Sequence, residues 1–513
     1  MKRLKPIGFE VALLLIAVTS FTLIAASSAH IFTSDDVAQQ NAVSAISLHS
    51  RPTIDLPQNT YVSKFPLHFI VEALPIEPQA KLVISILVLG LASIGLLYWS
   101  IQVLAHRAKW AWTSAAIPLL WLASLGGAFA AAFINPNSRN IEIGLAFAAL
   151  AIIARWHQND SALAARNRIW LASFVMLFAL LLYDDPYFMY VLAFPLILFF
   201  GLRWLLFDRD PKAALIVAAM LAAIIIARVW VGFFWLLGIH TAQVSAVFAT
   251  LPQVAHNLQI FAASVLDLFN ANIFGQPVLG IGILGRELNL LTLLATLFSP
   301  ALLAWPKIRQ YVWSVFLVLQ PPFVAMTFVI SSYPVDTASE RYLVILPFYA
   351  AIIFALVLSR LSPSRRMVFA AGLIIAAACN VASTAQAYMR REASPNSQAE
   401  SVARAVEGLH LTKGYASYWN AGINQYFTNG RVIFIQSGCS RSAGLKLTRV
   451  LINEQEWQQS ARQSFYLFDP RATRCTRADI DRFLGEPKQV VSLVGERQLL
   501  LYDYDILRRM SAQ

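Results

Sequence analysis

The sequence predicts an α-helical polytopic membrane protein with about eleven spans and a small C-terminal extracytoplasmic α/β domain. Its 513 residues are 58% hydrophobic and only 13% charged, whereas a soluble protein carries about twice that charged fraction. Apolar runs of about 20 residues recur through the first three-quarters of the chain, each long enough to cross a bilayer core of about 30 Å. Beyond about residue 390 the sequence becomes charged and mixed.

Each apolar run is interpreted as one span. The predicted spans lie near residues 7–29, 81–104, 111–133, 141–155, 169–183, 187–206, 213–238, 288–305, 311–332, 341–359 and 367–387. The first run also has the form of a signal-peptide core, but its length and the spans that follow favour a retained helix. We therefore expect a transmembrane domain over residues 1–389, with a long first outer loop at 30–80, and a periplasmic α/β domain over 390–513.

Basic residues give the predicted orientation. With the N-terminus in the cytoplasm, the cytoplasmic segments hold sixteen Lys and Arg residues, and the outer loops before the C-terminal tail hold six. This is the asymmetry of the positive-inside rule. An odd number of spans then places residues 390–513 on the outer face. The net charge of +12 follows from this topology, so we expect no nucleic-acid partner.

The C-terminal segment alternates short apolar strands with amphipathic stretches, which is typical of a small α/β domain. The predicted strands are 414–418, 431–435, 464–468, 490–493 and 498–502, and the predicted helices are 397–409 and 476–485. Cys439 and Cys475 each follow a predicted strand. In an oxidising outer compartment they either pair or remain free thiols, and their spacing does not decide between the two.

Two acidic pairs are predicted at the outer membrane face. Asp35 and Asp36 follow the first span, and Asp184 and Asp185 occupy the short loop after the fifth. Charge is costly at membrane depth, so such pairs are candidates for proton abstraction or for holding a divalent cation. The alternative is that each pair only caps a helix N-terminus. Because both pairs fall on one face, we favour a functional site.

Isolated cations at the same face indicate an anionic partner. Lys64, Arg139, Arg286 and Arg341 lie at the outer interface, where their charges suit a lipid phosphate. Arg228 falls inside the seventh predicted span and either faces the bundle or extends towards the lipid headgroups. Arg341 has a second interpretation, a local ion pair with its neighbour in sequence. The amphipathic stretch 239–287 is either an interfacial helix that gates substrate entry or a packed connection.

Several motifs together resemble the superfamily C membrane glycosyltransferases, in particular protein O-mannosyltransferase-like enzymes and lipid A aminoarabinose transferases. They are a first span followed by Asp35-Asp36, the sequence Lys64-Phe65-Pro66-Leu67 in the same loop, an acidic second outer loop, Arg341-Tyr342-Leu343 at the start of a late span, and an outer C-terminal domain. The Lys64 motif departs from the usual Lys-Pro-Pro-Leu by one residue. The resemblance covers the architecture of the whole chain.

The resemblance implies a glycosyltransferase of the bacterial inner membrane that moves a sugar from a polyprenyl-phosphate donor to a glycan, lipid or protein acceptor. By analogy, Asp35 or Asp36 is the general base, and Asp184 and Asp185 position the acceptor or bind Mg²⁺ or Mn²⁺. The remaining candidates are donor phosphate ligands, Lys64, Arg139, Arg228 and Arg341, and sugar contacts, Tyr61, His68 and Tyr342. The alternative function is a transporter or flippase, but the sequence shows neither matching halves nor paired broken helices.

Overall fold

A computed structural model describes residues 4–28, 34, 37–48, 54–56, 62–104, 111–134, 138–158, 165–207, 209–237, 239–241, 247–389, 397–440, 444–448 and 461–510. Within these ranges the chain forms two compact units. The helical unit comprises Met1–Ser28, Ile86–Trp230 and Ser245–Arg390, and the sheet unit comprises Ala29–Ser85, Val231–Val244 and Arg391–Gln513. The first outer loop therefore belongs with the C-terminal segment, although the sequence places it with the spans.

Helices dominate the described part of the chain. In order they are α1 Leu4–Ser28, α2 Ala38–Leu48, α3 Phe65–Glu72, α4 Pro78–Leu104, α5 Ala111–Ser124, α6 Gly127–Ile134, α7 Asn140–Gln158, α8 Ala165–Asp184, α9 Phe194–Leu202, α10 Pro211–Leu236, α11 Leu251–Leu268, α12 Ile281–Leu297, α13 Pro306–Arg309, α14 Val312–Ile330, α15 Ile345–Arg360, α16 Pro363–Met389, α17 Ser397–Gly408, α18 Tyr418–Phe427, α19 Arg477–Leu484 and α20 Ile506–Met510.

The strands are shorter and lie in the sheet unit. They are β1 Ile54–Leu56, β2 Ile239–Thr241, β3 Lys413–Ala416, β4 Ile433–Ser440, β5 Gly444–Leu447, β6 Ser464–Phe468, β7 Gln489–Ser492 and β8 Gln498–Tyr502. A π-helical turn, Met189–Ala193, precedes α9, and a 3₁₀ helix, Thr337–Tyr342, precedes α15.

Long apolar helices confirm a membrane-spanning fold. Among the described residues, six helices are long and apolar enough to cross a bilayer, and a bent pair of helices brings the number to seven. Shorter apolar helices at Glu10–Ala25 and Ile345–Arg360 accompany them. The predicted runs thus recur as helices, but several are shorter than a span or begin elsewhere. The segment predicted at 288–305, for example, is α12 followed by the 3₁₀ helix Ser299–Ala304.

The segment predicted as one span at 111–133 is instead broken. Helices α5 and α6 meet at 97° around Leu125 and Gly126. Gly127 has a φ of +57°, a left-handed conformation that glycine adopts without steric cost. A Cβ on Gly126 would lie 2.7 Å from the Thr384 hydroxyl oxygen. Two adjacent glycines therefore permit both the bend and the close approach of α16.

The helical unit is held together by aromatic packing and by a buried polar network. Phe133 and Phe348 bring α6 and α15 together with ring centroids 5.0 Å apart. Asn380 of α16 accepts hydrogen bonds from the amides of Asn289 and Asn270 at 2.9 and 3.0 Å. Its own amide donates to Ser124 at 3.3 Å. Such interhelical hydrogen bonds satisfy polar groups that lipid cannot.

The sheet unit contains a six-stranded sheet in the order β5-β4-β3-β6-β8-β7. Strand β3 is parallel to both neighbours, and its Tyr415 pairs with Ile435 of β4 and Tyr466 of β6. Strands β5, β8 and β7 are antiparallel to their partners. A second small sheet pairs β1 of the first outer loop with β2. The predicted α/β domain is confirmed, with α18, α20 and β5 as additional elements.

A disulfide joins the end of β4 to the loop before α19. Cys439 and Cys475 are bonded across 36 residues of sequence. Of the two alternatives that the spacing left open, the structure shows the pairing. Such bonds persist in oxidising compartments. The third cysteine, Cys379, is buried in α16.

Candidate functional site

A buried ion pair organises the polar end of the helical unit. Arg139 lies just before α7, and Asp185 follows α8; their exposed fractions are 4% and 2%. The Arg139 Nε donates to the Asp185 carboxylate. The other carboxylate oxygen of Asp185 accepts from the Tyr187 amide at 2.9 Å. Asp185 therefore caps the turn that follows it and neutralises Arg139 at the same time.

The same guanidinium contacts the 3₁₀ helix before α15. Arg139 Nη1 donates to the carbonyl of Arg341 at 3.1 Å. Its guanidinium carbon lies 4.5 Å from the ring centroid of Tyr187 and 4.9 Å from that of Tyr342. The Tyr187 hydroxyl donates to the Tyr342 carbonyl. Arg139, Asp185, Tyr187 and Tyr342 thus form one cluster, termed the Arg139 cluster below, which fixes the backbone of Arg341.

The side chain of Arg341 reaches solvent at the edge of this cluster. Its side chain is exposed, and its guanidinium carbon lies 5.3 Å from the Tyr342 ring centroid. Arg341 and Glu340 form no ion pair, so the local pairing considered from the sequence is absent between these two described residues. A cation on a rigid backbone that remains accessible to solvent can bind an anion.

An apolar cavity of about 320 Å³ borders the Arg139 cluster. The π-helical turn, α9 and α14 provide most of its wall, and Tyr342 stacks on Tyr333 at 5.2 Å. Its lining is aromatic and aliphatic and includes Tyr187, Tyr190, Phe194, Phe248, Phe328 and Tyr342. Tyr187 and Tyr342 belong both to the cavity wall and to the Arg139 cluster. The rings that the Arg139 and Arg341 guanidinium groups contact are therefore also part of the cavity wall.

Glu340, the neighbour of Arg341 in sequence, interacts with a second carboxylate, Asp267. Burial, followed by the charge of Asp267 on α11, raises the pKa of Glu340 to about 7. The Asp267 carboxylate accepts a hydrogen bond from the Asn272 amide at 3.1 Å. Glu340 is thus neutral below about pH 7 and ionised above it. This role of Glu340 was not predicted, because its interaction with Asp267 of α11 is a tertiary contact between residues far apart in the chain.

The sheet unit holds two further predicted site residues. Lys64 ends a 3₁₀ helix and His68 lies on α3, and both side chains are fully buried. Neither ring nitrogen of His68 hydrogen-bonds to any residue in the described ranges. Burial, followed by the charge of Lys64, lowers the pKa of His68 to about 3. The imidazole is therefore neutral at physiological pH, and a sugar contact by His68 stays a prediction.

The remaining predicted residues are distributed as follows. Asp184 is buried at the end of α8. Arg228 is exposed on α10, which favours its extending to lipid headgroups over its facing the bundle. Asp35, Asp36 and Tyr61 lie outside the described residues. The meeting of the two acidic pairs in one cavity consequently stays a prediction.

The described residues contain no group of three or more His, Cys, Asp or Glu side chains that could hold a metal ion. Asp185 directs its carboxylate oxygens at Arg139 and at the Tyr187 amide. A carboxylate used in this way fits an ion pair better than a ligand of Mg²⁺ or Mn²⁺.

No family model matches the sequence, and no curated protein matches it. The structure is similar to the crystal structure of ArnT from Cupriavidus metallidurans bound to undecaprenyl phosphate, with a TM-score of 0.61, 12% identity and coverage of 96% of this chain and 98% of that chain. For the apo state of that protein the TM-score is 0.57 at 11% identity, with the same coverage.

A more distant likeness is to the archaeal oligosaccharyltransferase AglB from Archaeoglobus fulgidus in complex with an inhibitory peptide and a dolichol-phosphate. Its TM-score is 0.48 at 13% identity, over 89% of this chain and 69% of that chain, a value too low to show a shared fold. The fold that the sequence resemblance implies is confirmed by the first two structures. The chain is therefore a multi-pass membrane protein with the fold of ArnT.

Proposed function

We propose that the chain is an integral membrane glycosyltransferase that moves a sugar from a polyprenyl-phosphate donor to an acceptor on the outer face of the membrane. The observation that carries the proposal is an apolar cavity whose wall includes Tyr342, the ring that the exposed Arg341 guanidinium contacts. A ligand with an anionic head and a long apolar tail matches both parts. ArnT, which has the same fold, binds such a molecule, undecaprenyl phosphate.

The isoprenoid chain and the phosphate of the donor bind to different parts of the proposed site. Isoprenoid groups leave water when they enter the cavity, and this burial is favourable by about 25 cal/mol per Å² of apolar surface. The phosphate is attracted to Arg341, whose backbone is held by Arg139 at 3.1 Å. Arg139 is itself neutralised by Asp185. We therefore propose that Arg139 mainly positions Arg341, and that a direct contact of Arg139 with the phosphate is secondary. Lys64 and Arg228 remain predicted phosphate ligands.

The reaction is proposed as a single inverting displacement. Asp35 or Asp36 takes the proton of the acceptor hydroxyl, and the acceptor oxygen forms a bond to the anomeric carbon. The bond between that carbon and the phosphate oxygen breaks, and its electron pair leaves with the polyprenyl phosphate. Fixed cations lower the barrier because they stabilise the charge that develops on the leaving phosphate.

The membrane and orientation are part of the proposal. We place the protein in the bacterial inner membrane with its N-terminus in the cytoplasm and residues 390–513 in the periplasm. The positive-inside asymmetry of the loops supports this orientation. The disulfide between Cys439 and Cys475 supports an oxidising compartment for the sheet unit. The acceptor is a glycan, a lipid or a protein.

The test uses the purified full chain in lipid nanodiscs with a radiolabelled polyprenyl-phosphate sugar. Release or transfer of the labelled sugar is expected, and it should be lost in Asp35→Asn and in Asp36→Asn if each carboxylate is needed. Glu287→Gln is the matched control, because Glu287 is exposed on α12. Movement of intact donor across a vesicle membrane, with the sugar bond unbroken, would instead identify a transporter.

A further inference from the structure

The residue before the two candidate catalytic aspartates is bound to the C-terminal part of the sheet unit. Ser34 is fully buried. Its hydroxyl oxygen accepts a hydrogen bond from the backbone amide of Ile423, in α18, at 3.2 Å. The two residues are separated by 389 positions in the chain. This contact is a specific polar link between the first outer loop and α18.

The residues after the aspartates are bound to the same helix. Val37 is fully buried in an apolar cluster that also contains Leu82, Ala399, Ala403, Ile423, Tyr426 and Phe427. The amide of Asn41, in the first turn of α2, donates to the Gly422 carbonyl at 3.0 Å. Asp35 and Asp36 are therefore flanked in sequence by residues that are anchored to α17 and α18.

The absence of a side chain at Gly422 allows Ser34 to lie this close to α18. A Cβ built on it would lie 3.1 Å from the Ser34 Cβ and 3.2 Å from the Ser34 hydroxyl oxygen. These separations are tighter than ordinary van der Waals contact. Any larger side chain at position 422 must displace Ser34 or α18. Gly408, at the end of α17, has no atom within 4 Å of its built Cβ.

We propose that α18 of the C-terminal domain positions the segment 34–41, which contains the two candidate catalytic aspartates. Gly422 and Ile423 are then positioning residues for Asp35 and Asp36. The inference rests on the proposed function, since it assigns these aspartates to catalysis. General-base catalysis requires the carboxylate within hydrogen-bond reach of the acceptor hydroxyl. A misplacement of about 1 Å can cost about a hundredfold in rate. Anchors on both sides of the two aspartates would limit such a misplacement.

The test compares Gly422→Val with the matched control Gly408→Val in the full-length protein. We expect kcat for sugar transfer to fall at least about tenfold in Gly422→Val, with the KM for the donor nearly unchanged, because the donor cations are intact. The control should retain kcat. Gly422→Ala should show a smaller loss, and Ser34→Gly added to Gly422→Ala should recover part of it by removing the Cβ that the alanine meets.

Hydrogen exchange in the same variants gives a readout that does not depend on activity. Faster exchange over residues 30–44 in Gly422→Val alone is expected if α18 anchors this segment. Unchanged exchange, or equal loss of kcat in the Gly408→Val control, would overturn the inference. If the wild type cleaves no donor, the proposed function fails and the positioning role in catalysis fails with it. Exchange would then still decide whether the anchor exists.

Discussion

At the scale of single residues, the carboxylate of Asp185 makes two different contacts, one with the Tyr187 amide and one with Arg139. Asp185 fulfils the capping role considered from the sequence through its bond to the Tyr187 amide. It also compensates the buried Arg139. The two residues are 46 positions apart, and sequence spacing gives no signal for such a partner. The sequence predicted that both residues matter, but not that they bind each other.

Removal of Asp185 should destabilise the helical unit. Asp185→Asn leaves the Arg139 guanidinium buried without its counter-charge, which typically costs about 3–5 kcal/mol. Thermal unfolding of the protein in detergent should show a clear fall in Tm, and Glu287→Gln, an exposed control, should show almost none. The double variant Arg139→Gln with Asp185→Asn should recover part of the loss. A wild-type Tm in Asp185→Asn would mean that the pair contributes no stability.

Arg341 should control donor affinity with little effect on stability. Arg341→Ala removes an exposed guanidinium, and a hydrogen bond to a charged group is worth about 1.5–3 kcal/mol. Donor binding measured by scintillation proximity should weaken about tenfold to a hundredfold. Arg309→Ala removes another exposed arginine of the helical unit and serves as control. Equal donor affinity in Arg341→Ala and wild type would remove Arg341 from the site.

Glu340 should make donor binding depend on pH. Its pKa is raised to about 7 by burial and by Asp267, so it becomes negative as pH rises through 7 and then opposes the attraction of Arg341 for phosphate. Affinity for a phosphodiester donor, which does not titrate near neutrality, should fall between pH 6 and pH 8. In Glu340→Gln it should stay flat. A parallel fall in wild type and Glu340→Gln would assign the titration to another group.

The same shift has a consequence for stability. Because the pKa is raised in the folded protein, the proton on Glu340 stabilises the folded state fully below its ordinary pKa of 4.5. That stabilisation is lost as pH rises through about 7. Glu340→Gln should therefore raise Tm relative to wild type at pH 8 and not at pH 4.5. The two measurements on this variant are independent of each other.

At the scale of elements, the length of the apolar runs predicted most of the long helices of the helical unit. The runs near 81–104 and 311–332 recur as α4 and α14, because length and apolarity alone determine a spanning helix. The bend between α5 and α6 was not predicted. A glycine pair inside an apolar run is compatible with a straight helix, and only the structure shows the approach of Thr384 to Gly126 and the positive φ of Gly127.

In the sheet unit, too, some elements were predicted from the sequence and one was missed. Strands β6 and β8 lie where the alternating pattern predicts them. Helix α18 was missed because most of its residues, Tyr418–Phe427, are buried, including the polar Asn420 and Asn424, so polar residues do not mark an exposed face. The consequence for the site is considerable. Gly422 and Ile423, which bind Asn41 and Ser34, lie in α18, so their function could not be inferred before the helix was known.

The disulfide should contribute measurably to the stability of the sheet unit. Cross-linking Cys439 to Cys475 closes a loop of 36 residues, for which the chain-entropy relation gives about 3–4 kcal/mol. Pulse proteolysis of the full chain should show earlier cleavage within residues 397–510 in Cys439→Ser with Cys475→Ser. Cys379→Ser, which changes a free thiol in α16, is the control. Equal proteolysis of the double variant and wild type would show that the bond adds no stability.

At the scale of the whole molecule, the sequence predicted the class of protein and the class of ligand better than the details of the site. Charge asymmetry and apolar runs are sums over many residues, so single errors do not change them. The site depends instead on a few tertiary contacts, such as Arg139 to the Arg341 carbonyl and Tyr342 to Tyr333. The apolar cavity has no sequence signature, because its lining residues come from several separate segments.

The central claim is that the apolar cavity lined by Tyr187 and Tyr342 holds the isoprenoid chain of a phosphorylated lipid. The direct measurement is photo-crosslinking of the purified protein with a polyprenyl phosphate that carries a diazirine in its isoprenoid chain, followed by mass spectrometry of the labelled peptides. We predict labels at lining residues such as Tyr190, Phe248 and Met326, displaced by unlabelled polyprenyl phosphate and not by the uncharged polyprenol. Labels spread over the exposed face of α10, at Ile225 and Val229, and unaffected by polyprenyl phosphate, would contradict it.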